Sequence, residues 1–395
     1  MEINILPEIV CLLAFLIMLY TFLCYPVLLK LLAKLKQTPI KLNKPYEPEV
    51  TVLIAAYNEE KYIRDAIESI NNSNYPINKI KIIVGSDGST DNTSGFVREL
   101  AAKYSNIQIF EFARLGKNRL LNELLSKFNT ELTFFLDADC RINADALGLL
   151  VEKFSDPDVG ASLASLDILT SKDNDNTGRF GEMMYQKYEA SIRHYETIIQ
   201  STVNSLGTLY GVRSNLIDKL PNDLVCDDMF MLMITNLKKK RVVYEHRAKV
   251  YEVREKSLPD ERKRRVRLIA GGLETILQVK KLLLPGYGWV SFFLWSHKVL
   301  RWLSPIYLIV IAICTFYMQV FSIMWYFFVI GQILFYLSGI FGWLCEKTGI
   351  KIFIFRAALF FISMNVAFLQ GLTRFAVRGQ NAKWERIDTE TALKN

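Results

Sequence analysis

From Ile9 to Leu29 the chain reads IVCLLAFLIMLYTFLCYPVLL without a single charge. As a helix, that run is long enough to cross the roughly 30 Å hydrocarbon core of a bilayer, so part of this molecule is expected to sit in lipid. A cleaved signal peptide is the competing reading. It is disfavoured because Glu2 and Glu8, not basic residues, precede the run and no small-residue cleavage site follows it. Lys30, Lys34, Lys36, Lys41 and Lys44 come next, and positive charge beside a span marks its cytoplasmic side. The N-terminus is therefore expected outside and the region after it inside.

A chain of 395 residues that is 51% hydrophobic and 12% aromatic has more apolar surface than a soluble domain of this size needs. Ser304 to Cys345 is also uncharged, with room for two spans of roughly 20 residues. Ala357 to Thr373 is shorter and contains Asn365, Gln370 and Gly371, which leaves a short span, a tilted one or a re-entrant segment. Four spans starting from outside would leave the tail outside, yet Arg374, Arg378, Lys383 and Arg386 favour a cytoplasmic tail. Either the last segment does not fully cross or the charge rule fails at this terminus. The aromatic and basic mixture of GYGWVSFFLWSHKVLRWL, with Trp289, Trp295 and Trp302 beside His297, Lys298 and Arg301, reads as an interfacial helix at headgroup level. The expected order is a transmembrane helix over 1–34, a cytoplasmic domain over 46–285, an interfacial helix over 286–303, membrane segments over 304–373 and a basic tail over 374–395. This describes a multi-pass protein of the cell membrane.

The formal net charge of +8 raises nucleic acid as a partner. The basic residues cluster instead at span ends and in REKSLPDERKRRVR, where they would meet anionic headgroups, so membrane lipids are expected and nucleic acid is not. Cys11, Cys24, Cys314 and Cys345 fall in apolar segments, while Cys140 and Cys226 stand alone. No pairing or CxxC spacing is present, as a reducing compartment would have it.

Between about 46 and 285 the pattern alternates. VTVLIAAY is a short β-rich apolar run, and NEEKYIRDAIESI puts Ile63, Ala66, Ile67 and Ile70 on one helical stripe. IKIIVGSDG, IQIFEF and LTFFLDAD repeat the strand signal, and NRLLNELLSKF reads as a helix. Apolar strands alternating with helices imply an α/β fold, a mostly parallel sheet with helices on both faces. Ligands of such sheets gather outside the carboxyl ends of the strands. Three of those ends carry polar residues: AAYNEE, GSDGSTD and DADC.

Asp137 and Asp139 stand two apart, so on an extended chain both would face one way. Two like charges that close repel, and a divalent cation bridging to a phosphate would relieve them. A turn or helix cap is the commoner reason for a bare DxD. In SDGSTDNT, Asp87, Gly88, Ser89 and Asp91 follow a strand, where the glycine lets backbone approach a ligand or simply closes a turn. Gly85, Gly88 and Gly95 lack the GxGxxG spacing, and no GxxxxGK[ST] loop occurs. Lys117 precedes a helix and is placed either to neutralise a diphosphate or to face solvent. Asp227 and Asp228 interrupt the apolar LVCDDMFMLM. They either cap the helix that begins there or serve chemistry, Met229 and Phe230 raising the pKa of a carboxylate that must accept a proton.

Taken in order, AAYNEE, VGSDGSTDNT, GKNRLLNE, DAD, GTLYGVRSNLIDKLPNDLVCDDMF, RRVRLIAGG and SHKVLRWLSP resemble the membrane-embedded family 2 glycosyltransferases, the group of cellulose, hyaluronan, chitin and poly-N-acetylglucosamine synthases. The resemblance runs from about residue 48 to about 305. It implies a GT-A catalytic domain that binds a nucleotide sugar, UDP-linked, through Ala56, Tyr57, Glu59, Asp87, Lys117 and Asp137. By the same resemblance Asp87 contacts the uracil or ribose, Lys117 lies along the phosphates, and Asp139 binds Mn or Mg. The family's T-E-D triplet corresponds to Cys226, Asp227 and Asp228, which makes Asp228 the implied catalytic base with Asp227 beside it. The family's QxxRW falls on Arg264, Arg265, Val266, Arg267 and Leu268. Arg264 and Arg267 remain for the diphosphate, but the Trp that meets the acceptor in processive synthases is Leu268 here, which puts chain elongation in doubt. An amphipathic membrane-surface helix explains the same basic run. His297 is not expected to be catalytic, and His194 and His246 read as structural.

The activity implied is inverting sugar transfer, of hexosyltransferase type, to a glycan or polysaccharide acceptor. Transfer to a polyprenyl-phosphate lipid is the alternative within enzymes, and a non-catalytic nucleotide-sugar-binding subunit of a polysaccharide synthase is the alternative outside them. With so few spans one monomer forms at most a small channel, which leaves room for a homo-oligomer or a secretion partner.

Overall fold

The computed structural model describes residues 5–42, 45–169, 177–253, 258–318 and 323–377. The tail residues Arg378, Lys383 and Arg386 and the start of the basic run, 254–257, lie outside the described residues. Among the described residues eight strands form one sheet: β1 Val50–Ala56, β2 Ile80–Asp87, β3 Ile107–Phe112, β4 Leu132–Leu136, β5 Cys140–Ile142, β6 Val159–Leu169, β7 Leu209–Arg213 and β8 Arg241–Val253. Their order is β3-β2-β1-β4-β7-β6-β8-β5. β3, β2, β1 and β4 run parallel, as do β6 and β8, while β7 is antiparallel to both β4 and β6 and β5 is antiparallel to β8.

β1 is buried along its whole length because helices cover both faces of the sheet. Its residues alternate between two cores: Leu53 and Ala55 on one side with Leu120 and Leu124, and Val52 and Ile54 on the other with Ile63, Ile67 and Ile70. The stripe Ile63, Ala66, Ile67 and Ile70 is the buried face of the helix Ile63–Asn71. On the other face the helix Lys117–Leu125 lies so close to β2 that a Cβ on Gly85 would come within 2.8 Å of Leu124 and 2.9 Å of Leu120. That close approach sets where Lys117, its first residue, emerges. Since β1, β2 and β4 are parallel neighbours, their carboxyl ends open on one edge of the sheet.

Among the described residues, three helices are long and apolar enough to cross a membrane: Leu6–Leu35, Ile323–Lys347 and Phe353–Val377. The first contains a π-turn over Tyr20–Cys24 directly before Pro26, where the proline's missing N–H and its ring disturb the preceding turn. The uncharged stretch from Ser304 does not divide evenly. Ser304–Met318 is a helix of 15 residues, about 22 Å long and short of a full crossing. It bends by 55° from Trp289–Trp302, and the pair together makes a fourth candidate span. The last segment is longer than its uncharged stretch suggests. Its helix of 25 residues starts before Arg356, whose guanidinium stacks over Phe180 of the helix Thr177–Ile199 at 4.4 Å, so this charge is covered by an aromatic ring and does not end the last helix.

The helix Thr177–Ile199 ties the sheet to these segments through Glu182, Glu189 and Glu196, spaced seven apart along one face. Glu182 and Glu261 grip Arg265 at 2.6 and 2.5 Å. His297 is held on both ring nitrogens, by Glu196 at 2.7 Å and Glu189 at 2.9 Å. Arg301 pairs with Glu189, and Tyr25 of the first membrane helix donates to Glu196 at 2.8 Å. The interfacial reading of His297, Lys298 and Arg301 is therefore corrected. All three are buried, and His297 and Arg301 turn toward carboxylates that need a cation in an apolar setting, not toward headgroups. Trp295 alone of the three tryptophans in the GYGWVSFFLWSHKVLRWL stretch is exposed.

Candidate active site

At the end of β2 Asp87 is fully buried and organises the loop that follows β3. Its carboxylate accepts from the Leu115 N–H at 2.7 Å and the Gly116 N–H at 3.1 Å, and pairs with Arg114 at 2.6 Å. The Arg114 guanidinium lies 3.3 Å over the ring of Tyr57, which brings the end of β1 to the same place. The β1 and β2 loops are laced together. Asn58 Oδ1 accepts from the Thr90 N–H at 2.8 Å, and the Glu59 N–H donates to Thr93 at 2.7 Å. Ala56 is buried at the strand end, and Tyr57 and Glu59 are half-buried beside it.

The loop held by Asp87 leads directly into Lys117. Lys117 Nζ bridges Asp137 at 3.1 Å and Asp227 at 3.3 Å. One cation thus joins a carboxylate after β4 to one at the start of the helix Asp227–Leu237. That helix begins at Asp227 itself with Cys226 at the cap position and no side-chain cap. Neither aspartate is the N-cap that the sequence allowed; both lie in the first turn, where the helix dipole favours negative charge. Asp228 accepts from Ser205 Oγ at 2.5 Å.

Burial pushes the Asp137 carboxyl up to about 6; Lys117 pulls it down, and Asp139 and Asp227 add to the rise. The Asp228 carboxyl is also raised, by burial first and then by Asp227, against the Ser205 hydrogen bond. Burial alone would lower Lys117, but Asp137, Asp227 and Asp228 outweigh it and carry the ammonium upward. The site therefore holds one firmly charged lysine among three crowded carboxylates, of which Asp137 and Asp228 are both raised toward holding a proton.

Asp137 and Asp139 do not alternate on an extended strand. The chain turns after β4, the Cys140 N–H donating to the Asp137 carbonyl at 3.1 Å, and the two carboxylates share that turn. A hard divalent cation fits here, because the donors are oxygens and the excess negative charge that raises Asp137 is what a cation would offset. Among the described residues no three His, Cys, Asp or Glu side chains gather to hold an ion alone. The arrangement suits a cation shared with phosphate oxygens.

Of the two arginines expected near a diphosphate, Arg264 lies 3.5 Å from both Glu182 and Glu261. Arg267, about one turn further along the helix Leu258–Gln278, is close enough to Cys226 to oppose the rise of its thiol, which burial, Asp228 and Asp227 produce. Cys226 Sγ donates to the Leu268 carbonyl at 3.8 Å, so the position where the family has tryptophan packs behind the aspartate pair. His194 and His246 lie edge to face, 5.5 Å apart. The sequence reading missed Arg114, Ser205, Gly207 and Tyr210. Arg114 had a signal, a basic residue three before Lys117; Ser205 had none.

The family model described as glycosyl transferase family 2 matches residues 51–210, and that described as glycosyl transferase family group 2 matches residues 132–338. The poly-beta-1,6-N-acetyl-D-glucosamine synthase of Staphylococcus aureus strain COL is 26% identical over 234 residues, 58% of this chain and 56% of that protein. The synthase of the same name from Staphylococcus epidermidis is 29% identical over 241 residues, again 58% and 56%. The chain thus spans little more than half the length of these relatives. A mannosyltransferase from Pyrobaculum calidifontis, solved with GDP-Man and Mn2+, superposes with a TM-score of 0.72 at 19% identity over 93% of this chain and 99% of that one. That likeness shows a common fold.

Proposed function

The chain belongs to glycosyl transferase family 2, and from that premise we propose that it is a metal-dependent inverting transferase. It moves a hexose from a UDP-linked donor to a glycan acceptor at the cytoplasmic face of the membrane. The observation that carries this reading is the Lys117 bridge between Asp137 and Asp227, which sets a phosphate-binding cation between a donor-side carboxylate and the aspartate pair.

In this mechanism Asp87 fixes the 114–116 loop against the nucleotide, with Ala56, Tyr57 and Glu59 at its edge. Lys117 turns to the diphosphate oxygens. Asp139, with Asp137 beside it, would hold Mn or Mg, which would supply charge stabilisation to the departing diphosphate. Asp228 takes the proton of an acceptor hydroxyl as that oxygen bonds to the sugar carbon; the bond from that carbon to the diphosphate oxygen breaks, and its electron pair leaves with the diphosphate. The raised Asp228 carboxyl suits a group that must accept a proton and then release it. Arg267 lies on the Cys226 side of the pair and supports the diphosphate, while Arg264 steadies Glu182 and Glu261. Leu268 gives the acceptor no aromatic platform, so short products are expected.

The test is a screen of membranes carrying the full chain with radiolabelled UDP-N-acetylglucosamine, UDP-glucose, UDP-galactose and GDP-mannose in Mn2+, with the products sized. Label from a UDP sugar entering a short glycan is the expected result. The absence of both transfer and hydrolysis with all four donors overturns the reading, and label in a lipid-extractable monosaccharide moves the acceptor to a polyprenyl phosphate.

A further inference from the structure

Tyr210 of β7 is 2% exposed, and its ring lies on that of Phe135 across the strand pair, centroids 4.8 Å apart and planes at 13°. Its hydroxyl is buried and has no hydrogen-bond partner among the described residues, which is unusual, because a buried tyrosine normally finds one. The residues just before it touch the site on two sides. The Thr208 carbonyl accepts from the Asp137 N–H at 3.1 Å, and a Cβ on Gly207 would stand 3.0 Å from Asp228 Oδ2. The charges that act on the hydroxyl are Asp227, Asp228 and Asp137, which together with burial, the larger cause, hold it well above the usual phenol range. It is a neutral donor with three carboxylates near it and a bond to none of them.

In the structure Lys117 occupies Asp137 and Asp227. Donor binding, on the glycosyl-transfer reading above, draws Lys117 to the diphosphate and leaves Asp227 without its cation. We infer that the Tyr210 hydroxyl then becomes the hydrogen-bond donor to Asp227, holding it beside Asp228 after Lys117 has turned away. Tyr210 acts through Asp227 and is a positioning residue. The bond is absent in the free protein and present in the loaded one, so it tightens donor binding, and its absence leaves the free protein with an unsatisfied buried hydroxyl.

Tyr210→Phe keeps the ring and its stack and removes only the donor. With the full chain in detergent, the melting midpoint of the unliganded variant should rise, while its affinity for UDP in Mn2+, measured by calorimetric titration, should fall about tenfold. In a Lys117→Met background, where Asp227 already lacks its lysine, the same replacement should instead lower the midpoint. A hydroxyl with a merely structural role would give a lower midpoint in both backgrounds and unchanged UDP affinity, and that result overturns the exchange. So does a raised midpoint with unchanged affinity. If the unmodified protein binds neither UDP nor GDP in Mn2+, the glycosyl-transfer reading falls and the exchange with it; if it binds and the variant binds equally well, only the exchange falls.

Discussion

Gly207→Ala separates the backbone cost of the 205–208 turn from its hold on the proposed base. Gly207 has φ +76, in the left-handed region that costs a side-chain-bearing residue about 1–2 kcal/mol. The added Cβ would lie 3.0 Å from Asp228 Oδ2 and 3.5 Å from its Cγ, so the carboxylate must give by a few tenths of an ångström. That shift works against the 2.5 Å bond from Ser205. Gly349 has nearly the same φ, +75, with none of the described residues within 4 Å of its Cβ position, so Gly349→Ala carries the backbone cost alone. Both variants should lose about 2–4 °C of melting midpoint per kcal/mol. Only Gly207→Ala should lose turnover. A misplacement of 1 Å costs on the order of 100-fold, so a few tenths corresponds to about tenfold in kcat, with donor affinity unchanged. Thermal melts and initial rates on the two variants suffice. Normal kcat in Gly207→Ala, or an equal loss in Gly349→Ala, would refute the claim that this turn places Asp228.

Because burial and Asp227 raise the Asp228 carboxyl and a base must be ionised to act, kcat/KM should hold at higher pH. It should fall as pH drops through a midpoint above the ordinary value of about 3.9. The Ser205 bond favours the ionised form, so Ser205→Ala should move that midpoint further up; a downward move contradicts the assignment. Asp139→Asn should weaken Mn2+-dependent nucleotide-sugar binding by about 100-fold or more, and unchanged affinity in a binding titration would remove Asp139 from the metal.

Much of the fold was legible because its signals are local. The continuous apolar strands and the Ile63 to Ile70 stripe follow from burial on both faces of a sheet, and Asp87, Asp137, Asp139 and the Asp227 pair stood out as carboxylates at strand ends or in apolar company. The pairings were not legible, since they join residues far apart in the chain: Lys117 to Asp227, Ser205 to Asp228, His297 to Glu189 and Glu196. Pattern alone also misplaced charge. Arg356 seemed to bound a short membrane segment, but Phe180 covers it, and the helix runs from Phe353 to Val377. His297, Lys298 and Arg301 resembled headgroup contacts because Glu189 and Glu196, the glutamates that meet His297 and Arg301, lie about a hundred residues earlier. The turn at Asp137 to Cys140 replaced an extended pair because β5 folds back to join β8.

The central claim is that Asp228 removes the acceptor proton in a pocket where other groups hold the donor. Measuring donor binding and sugar transfer side by side in Asp228→Asn tests it most directly. Metal-dependent nucleotide-sugar affinity should stay at the level of the unmodified protein while transfer falls about 10²–10⁴-fold; transfer at a near-normal rate would contradict the account.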